Sequence, residues 1–185
     1  SSDGTILYAS PAMQQAGEPF SRVDDILRTI DYTSFLDRRR GPRTIRWWPR
    51  AADAWGVLFH LGAHPGAQLQ QWLAGVLGDL GVRKFGDLAF VDPGSSLPPE
   101  KSYRLVVTAS DLSRQRIMCL PWDLAKHGHA PAEFSVARAV RASAAIPCLV
   151  EPVRVKSPFG QLALADGSLL RSYPIGLFDR DDGLP

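Results

Sequence analysis

Apolar positions along this chain repeat with a helical period in its first half and a strand period in much of its second. From Pro65 to Leu80 (PGAQLQQWLAGVLGDL), Leu69, Trp72, Leu73, Val76, Leu77 and Leu80 recur at the three- and four-residue spacing of one helix face. Pro65 suits a first turn and Gly81 a stop. The stripe is read as core rather than as a ligand face. Ser21–Ile30 (SRVDDILRTI) carries Val23, Ile26, Leu27 and Ile30 on one face, behind Ser21 as N-cap with Asp24 three residues on. Thr5–Ala16 reads as a short apolar helix, kinked near Pro11 and stopped at Gly17. A turn of helix is expected around Ser34–Leu36.

Beyond the Pro/Gly/Ser loop Phe90–Lys101, strand formers take over. Tyr103–Ala109 (YRLVVTA) and Arg116–Leu120 (RIMCL) read as strands, with Ser113 and Arg114 in the turn between them. Trp122–Gly128 is expected to form a short helix. Ser135–Ala144 (SVARAVRASA) reads as a helix capped by Ser135, and Leu149–Val155 and Gln161–Ala165 as short strands. Strands interleaved with helices predict an α/β fold, a layered sheet with flanking helices. The length of 185 residues predicts one domain over 1–185.

Composition narrows the function classes modestly. The net charge of +2 argues for no particular partner, but it is unevenly spread. Arg38, Arg39, Arg40, Arg43, Arg46 and Arg50 crowd a stretch that also holds Trp47 and Trp48. Arginine beside tryptophan suits the headgroup zone of a membrane, so peripheral contact through Arg38–Trp48 is one reading; a solvated insertion with tucked tryptophans is the other. No nucleic-acid-binding motif accompanies these residues. Cys119 and Cys148 form no CxxC pair and are read as buried reduced thiols. No apolar run reaches the ~18 residues of a membrane span. The location expected is cytoplasmic or peripheral to a membrane. His60, His64, His127 and His129 lack metal-ligand spacing and are read as surface or loop residues, so neither metal nor cofactor is implied. Asp111 and Asp123 are expected to pair with Arg114 or Arg116 at the surface.

Candidate chemistry lies at the two ends. Ser1-Ser2-Asp3-Gly4 supplies x-S-x-G, the tail of a G-x-S-x-G nucleophile elbow, with an apolar helix behind it. An elbow needs small neighbours because its serine sits on a sharp strand-to-helix turn, and the helix N-terminus offers N–H groups to an oxyanion. Four such residues also suit a polar chain terminus. At the other end, an apolar strand runs into Asp166-Gly167, followed by Ser168 and, further on, Tyr173-Pro174.

The segments Ser135–Val153 and Gln161–Phe178 resemble the patatin-like phospholipases. That family carries a helix of the type S-x-x-x-A-x-x-A-S-x-A-x-P leading toward a strand that ends in Asp-Gly. Here Ser135, Ala139, Ala142-Ser143, Ala145 and Pro147 stand in that arrangement. Gly66–Leu88 and Thr108–Arg116 look similar as well. The resemblance implies a Ser–Asp dyad without histidine: Ser2 as nucleophile and Asp166 as base, with the Asp3 N–H as an oxyanion donor and Gly4 completing the elbow. It implies Gly167 as support, because a side chain there would crowd the serine. It implies a lipid or fatty-acyl ester substrate and an acyl-enzyme, with no cofactor. The family often has Gly or Ala where Ser168 stands, and Asn where Ser172 stands. The family's glycine-rich loop and first strand precede the elbow and are not in this sequence. The chain is therefore expected to begin one residue past the elbow glycine, as the C-terminal portion of the domain, and to show little or no activity alone. A catalytically incomplete relative that binds membranes or partners, and a transacylase, are the alternatives.

Overall fold

The computed structural model describes residues 61–90 and 98–170. The helices expected at Thr5–Ala16 and Ser21–Ile30, the arginine–tryptophan stretch up to His60, and the tail from Arg171 lie outside the described residues. The described elements are a short strand β1 (Gly62–His64), helix α1 (Ala67–Asp79), the hairpin strands β2 (Val107–Asp111) and β3 (Arg116–Leu120), helix α2 (Val136–Ser143), and strands β4 (Cys148–Val150), β5 (Val153–Ser157) and β6 (Gly160–Asp166). Tight 3₁₀ turns join them. One sheet is antiparallel with order β3-β2-β6-β5, and β1 pairs with β4 in parallel. The α/β layered fold expected from the sequence is the one observed.

Each helix ends where its local chemistry says it should. Gly81 adopts φ +75°, and its N–H donates to the Gly78 carbonyl at 3.0 Å while the Val82 N–H reaches Leu77 O at 2.9 Å. That pair of bonds satisfies the last carbonyls of α1, and only glycine adopts the required backbone without strain. Ser135 caps α2 by accepting the Arg138 N–H at 3.3 Å. Trp122–His127 forms a 3₁₀ helix, as expected for a short turn.

The core lies between one face of the sheet and the helices. Val107, Ala109, Met118, Leu120, Val153, Val155, Leu162 and Leu164 alternate onto that face, and Leu73 and Leu77 of α1 join them. α2 packs on β2, β5, β6 and α1, presenting Ala139 and Ala142, both fully buried. Alanines there let the helix backbone approach the sheet closely. Burying a side chain the size of Leu164 contributes about 1.5–3 kcal/mol.

Two strand boundaries differ from the sequence pattern. β2 begins at Val107 rather than Tyr103, and it continues to Asp111 because that residue pairs with both Arg116 and Leu164. Tyr103 instead bridges to Ala89 and packs edge-on against Phe85, with ring centroids 6.2 Å apart. The expected strand Leu149–Val155 is two strands in two sheets, β4 and β5. Pro152 sits at the break; it has no N–H for a ladder, so the chain leaves one sheet there and enters the other.

Candidate active site

Ser2, Asp3 and Gly4 lie outside the described residues. Asp166 and Gly167 lie inside them, and the structure shows how they are held. Asp166 is the last residue of β6, opposite Ala109 of β2. Its backbone N–H donates to the Ala145 carbonyl at 2.9 Å, just past the end of α2. Its side chain caps the following 3₁₀ turn, Oδ1 accepting the Ser168 N–H at 2.9 Å. The half-buried carboxylate is thus tied on one oxygen by main chain. No hydrogen-bond donor among the described residues reaches the other oxygen.

Gly167 is required by the packing of β2 against it, whereas the expected crowding of Ser2 falls on a residue outside those described. A Cβ on it would lie 2.5 Å from Thr108 O and 2.7 Å from Thr108 Oγ1. The crowding comes from the backbone of β2, at the end of its ladder with β6. Ser168 departs from the Gly or Ala of the resembled family, but it serves through its N–H and its side chain is exposed. Any residue except proline supplies that donor.

The motif leading to Asp166 can now be read physically. Ser135 starts α2, Ala139 and Ala142 seat it on the sheet, and Ala145 offers its carbonyl to the Asp166 N–H. α2 is a bracket whose far end grips the aspartate.

Several other expected roles change. Asp111 is fully buried rather than a surface residue: Oδ1 accepts the Ser113 N–H at 3.0 Å, and Oδ2 pairs with Arg114 Nη1 at 3.3 Å. Asp123 pairs with Lys126 at 2.8 Å instead of an arginine, and also accepts the Cys119 N–H. Burial opposes its charge, but the bonds from Lys126 and Cys119 prevail and hold its pKa down. His127 is buried, not a surface residue. Arg116 Nη2 lies 2.5 Å from its Nε2. A guanidinium has no acceptor, so Nε2 must accept, and the ring proton sits on Nδ1, 3.3 Å from Ser157 Oγ. Burial first, then the Arg116 and Arg114 charges, push the His127 pKa down. His129 is part-exposed, with Nε2 at 2.5 Å from Lys156 O. Both thiols are free; Cys148 is exposed rather than buried, while burial raises the pKa of the half-buried Cys119. The expected Asp111–Arg114 pair is present, but sequence reasoning missed the burial of Asp111 and of His127. The S-D-L-S-R run, in which the aspartate also accepts a turn N–H two residues on, was the available signal for the first.

Among the described residues no group of three His, Cys, Asp or Glu side chains is placed to hold a metal ion, and no helix is long and apolar enough to cross a membrane.

Comparison with known proteins agrees with this geometry. Over 186 aligned residues, covering the whole chain, the sequence is 32% identical to the uncharacterized protein YqhO of Bacillus subtilis (strain 168), and the chain spans 57% of that protein's length. Residues 7–179 match the family described as Patatin-like phospholipase, a span that takes in Asp166 and Gly167 and starts after Ser2. With that match over most of its length, and an aspartate–glycine strand end braced by the helix the family resemblance predicts, the chain belongs to the patatin-like phospholipase family.

Proposed function

We propose that the protein containing this chain is a serine acyl hydrolase of phospholipids or other fatty-acyl esters, with Ser2 as nucleophile and Asp166 as general base. The observation that carries this reading is the state of Asp166: a half-buried carboxylate, oriented through one oxygen by the Ser168 N–H, with no donor among the described residues at the other. Family membership supports a lipid substrate. In this reading Asp166 takes the proton from Ser2 Oγ, which attacks the ester carbonyl. The tetrahedral oxyanion collapses, the alcohol leaves with the proton, and the acyl group stays on Ser2. Asp166 then takes a proton from water as the water attacks the acyl-enzyme, and returns that proton to Ser2 Oγ as the acyl–oxygen bond breaks and the fatty acid leaves. The Asp3 N–H and the helix N-terminus after Gly4 would donate to the oxyanion. Residues 1–185 are part of one patatin-like domain, and Arg38–Trp48 contacts the lipid surface peripherally; no nucleic acid takes part.

The test uses the intact protein as its gene encodes it. A fluorophosphonate probe should label it, and Ser2→Ala should abolish labelling; persistent labelling assigns the nucleophile elsewhere. Asp166→Asn should fold normally and lose ester hydrolysis by about 10²–10⁴-fold. Retained turnover removes Asp166 from the role of base.

A further inference from the structure

α2 meets the sheet with alanines, Ala139 and Ala142, yet Arg141 stands between them in the sequence. A part-buried guanidinium on a packed helix needs oxygen acceptors, because its donors have lost water. Arg141 finds them in main chain. Its Nη2 donates to Pro65 O, in the link between β1 and α1, and to Glu151 O at 3.1 Å, in the link between β4 and β5. Room for it is built in: Gly66 adopts φ +70°, and a Cβ there would lie 3.0 Å from Arg141 Nε. One side chain thus joins three separate segments.

Those bonds close a ring of contacts that carries the Ala145 carbonyl. From Arg141 the chain runs out of α2 to Ala145 and Ile146. The Val150 N–H returns to Ile146 O at 2.9 Å, and the next residue, Glu151, comes back to Arg141 through its carbonyl. The Glu151 N–H also donates to His64 O at 2.9 Å, one residue before the Pro65 carbonyl that Arg141 holds. Ala145 O, within this ring, receives the Asp166 N–H at 2.9 Å. We infer that Arg141 is a positioning residue: it fixes the Ala145 carbonyl and, through it, the place of the Asp166 carboxylate. This role rests on the hydrolase reading above and needs no contact with substrate. A general base works only within hydrogen-bond reach of the proton it takes, and a misplacement of about 1 Å can cost about 10²-fold in rate.

The test uses the intact protein, hydrolysis of p-nitrophenyl butyrate, and hydrogen-exchange mass spectrometry. In Arg141→Ala, kcat per folded molecule should fall by about 10–10²-fold with KM within about twofold, because the base is displaced and substrate contacts are kept. The Asp166 N–H should exchange severalfold faster, while the amides of the β2–β3 hairpin keep their rates. Arg141→Lys, shorter but still cationic, should lie between Arg141→Ala and the parent protein in both readouts. A residue that only stabilised the fold would leave turnover per folded molecule at the parent value and speed exchange at the hairpin and at Asp166 alike; that pattern overturns the positioning role. So does unchanged exchange at Asp166, or unchanged kcat in a protein that hydrolyses the ester. If Arg141→Ala fails to fold, Arg141→Lys decides by the same criteria. Where the parent protein hydrolyses no ester, faster exchange confined to the Asp166 segment upholds the hold of Arg141 on Asp166, and only the hydrolase reading falls.

Discussion

Asp111 and Asp166 are built alike and end differently. Each closes a strand, β2 or β6, and each accepts the N–H of the residue two positions on through Oδ1, at 3.0 and 2.9 Å. They lie on adjoining strands and on the same face of the sheet, since Asp111 pairs with Leu164 and Ala109 with Asp166. That makes them diagonal neighbours, about 7–8 Å apart. The difference is the second oxygen. Asp111 is fully buried and spends it on Arg114, whose other nitrogen holds Phe159 O at 2.9 Å. Asp166 is half-buried and has no cationic partner among the described residues. A buried carboxylate paired with a cation serves the fold; proton transfer is proposed above for the one that main chain orients and that no cation among the described residues pairs. The local turn is common to both, and the surroundings separate them.

The sharpest way to break this contrast is to neutralise each aspartate in turn. Asp166→Asn should remove hydrolysis by the factor given above while stability stays within about 0.5 kcal/mol. Asp111→Asn should do the reverse, costing about 2 kcal/mol in chemical denaturation and keeping turnover where the protein stays folded. That figure is set below the ~3–5 kcal/mol of a fully buried pair because Arg114 retains 26% exposure. Loss of activity in folded Asp111→Asn would merge the two roles. Next in size is Gly167→Ala. Its methyl group meets the Thr108 carbonyl, so β2 and β6 must part where Asp166 is seated. The expected cost is about 1–3 kcal/mol by thermal unfolding, with reduced hydrolysis as well, since the same shift moves the carboxylate.

A smaller effect comes from pH at the Asp111 end. His127 is held neutral by burial and by Arg116 and Arg114, with Asp111 and Asp123 acting in the opposite sense. The unfolded chain takes up its proton near about 6.5, above the folded value, so the stability His127 allows is complete above that pH. It is lost as pH falls below about 6.5 toward the folded value. Denaturation midpoints measured across this range should flatten in His127→Asn, and in Asp111→Asn the loss should extend to lower pH. The smallest expected effect is that of Ser135→Ala, about 0.5–1 kcal/mol from the lost α2 cap. It should leave turnover unchanged, because the Ala145 carbonyl that holds Asp166 lies at the other end of the helix.

Much of this architecture was legible in the residues. α1 with its Gly81 stop, α2 with its Ser135 cap, β3 from Arg116 to Leu120, and an apolar strand ending at Asp166-Gly167 all follow from period and end chemistry, which depend on near neighbours. The double strand around Pro152 was missed because apolar periodicity ran straight through it. A single proline decided that the ladder could not continue. Cys148 was expected inside and lies outside. His127 and Asp111 were expected outside and lie inside.

The sequence by itself determined where the helices and β3 start and stop, the family, and the pairing of an aspartate with a small residue at a strand end. Spacing, caps and turns act over a few positions, so the chain carries them locally. Only the tertiary structure decided which aspartate is buried with its arginine and why Gly167 tolerates no side chain. Those outcomes depend on segments tens of residues apart, β2 against β6 and the end of α2 against Asp166. Burial and charge pairing arise only when such segments share one space.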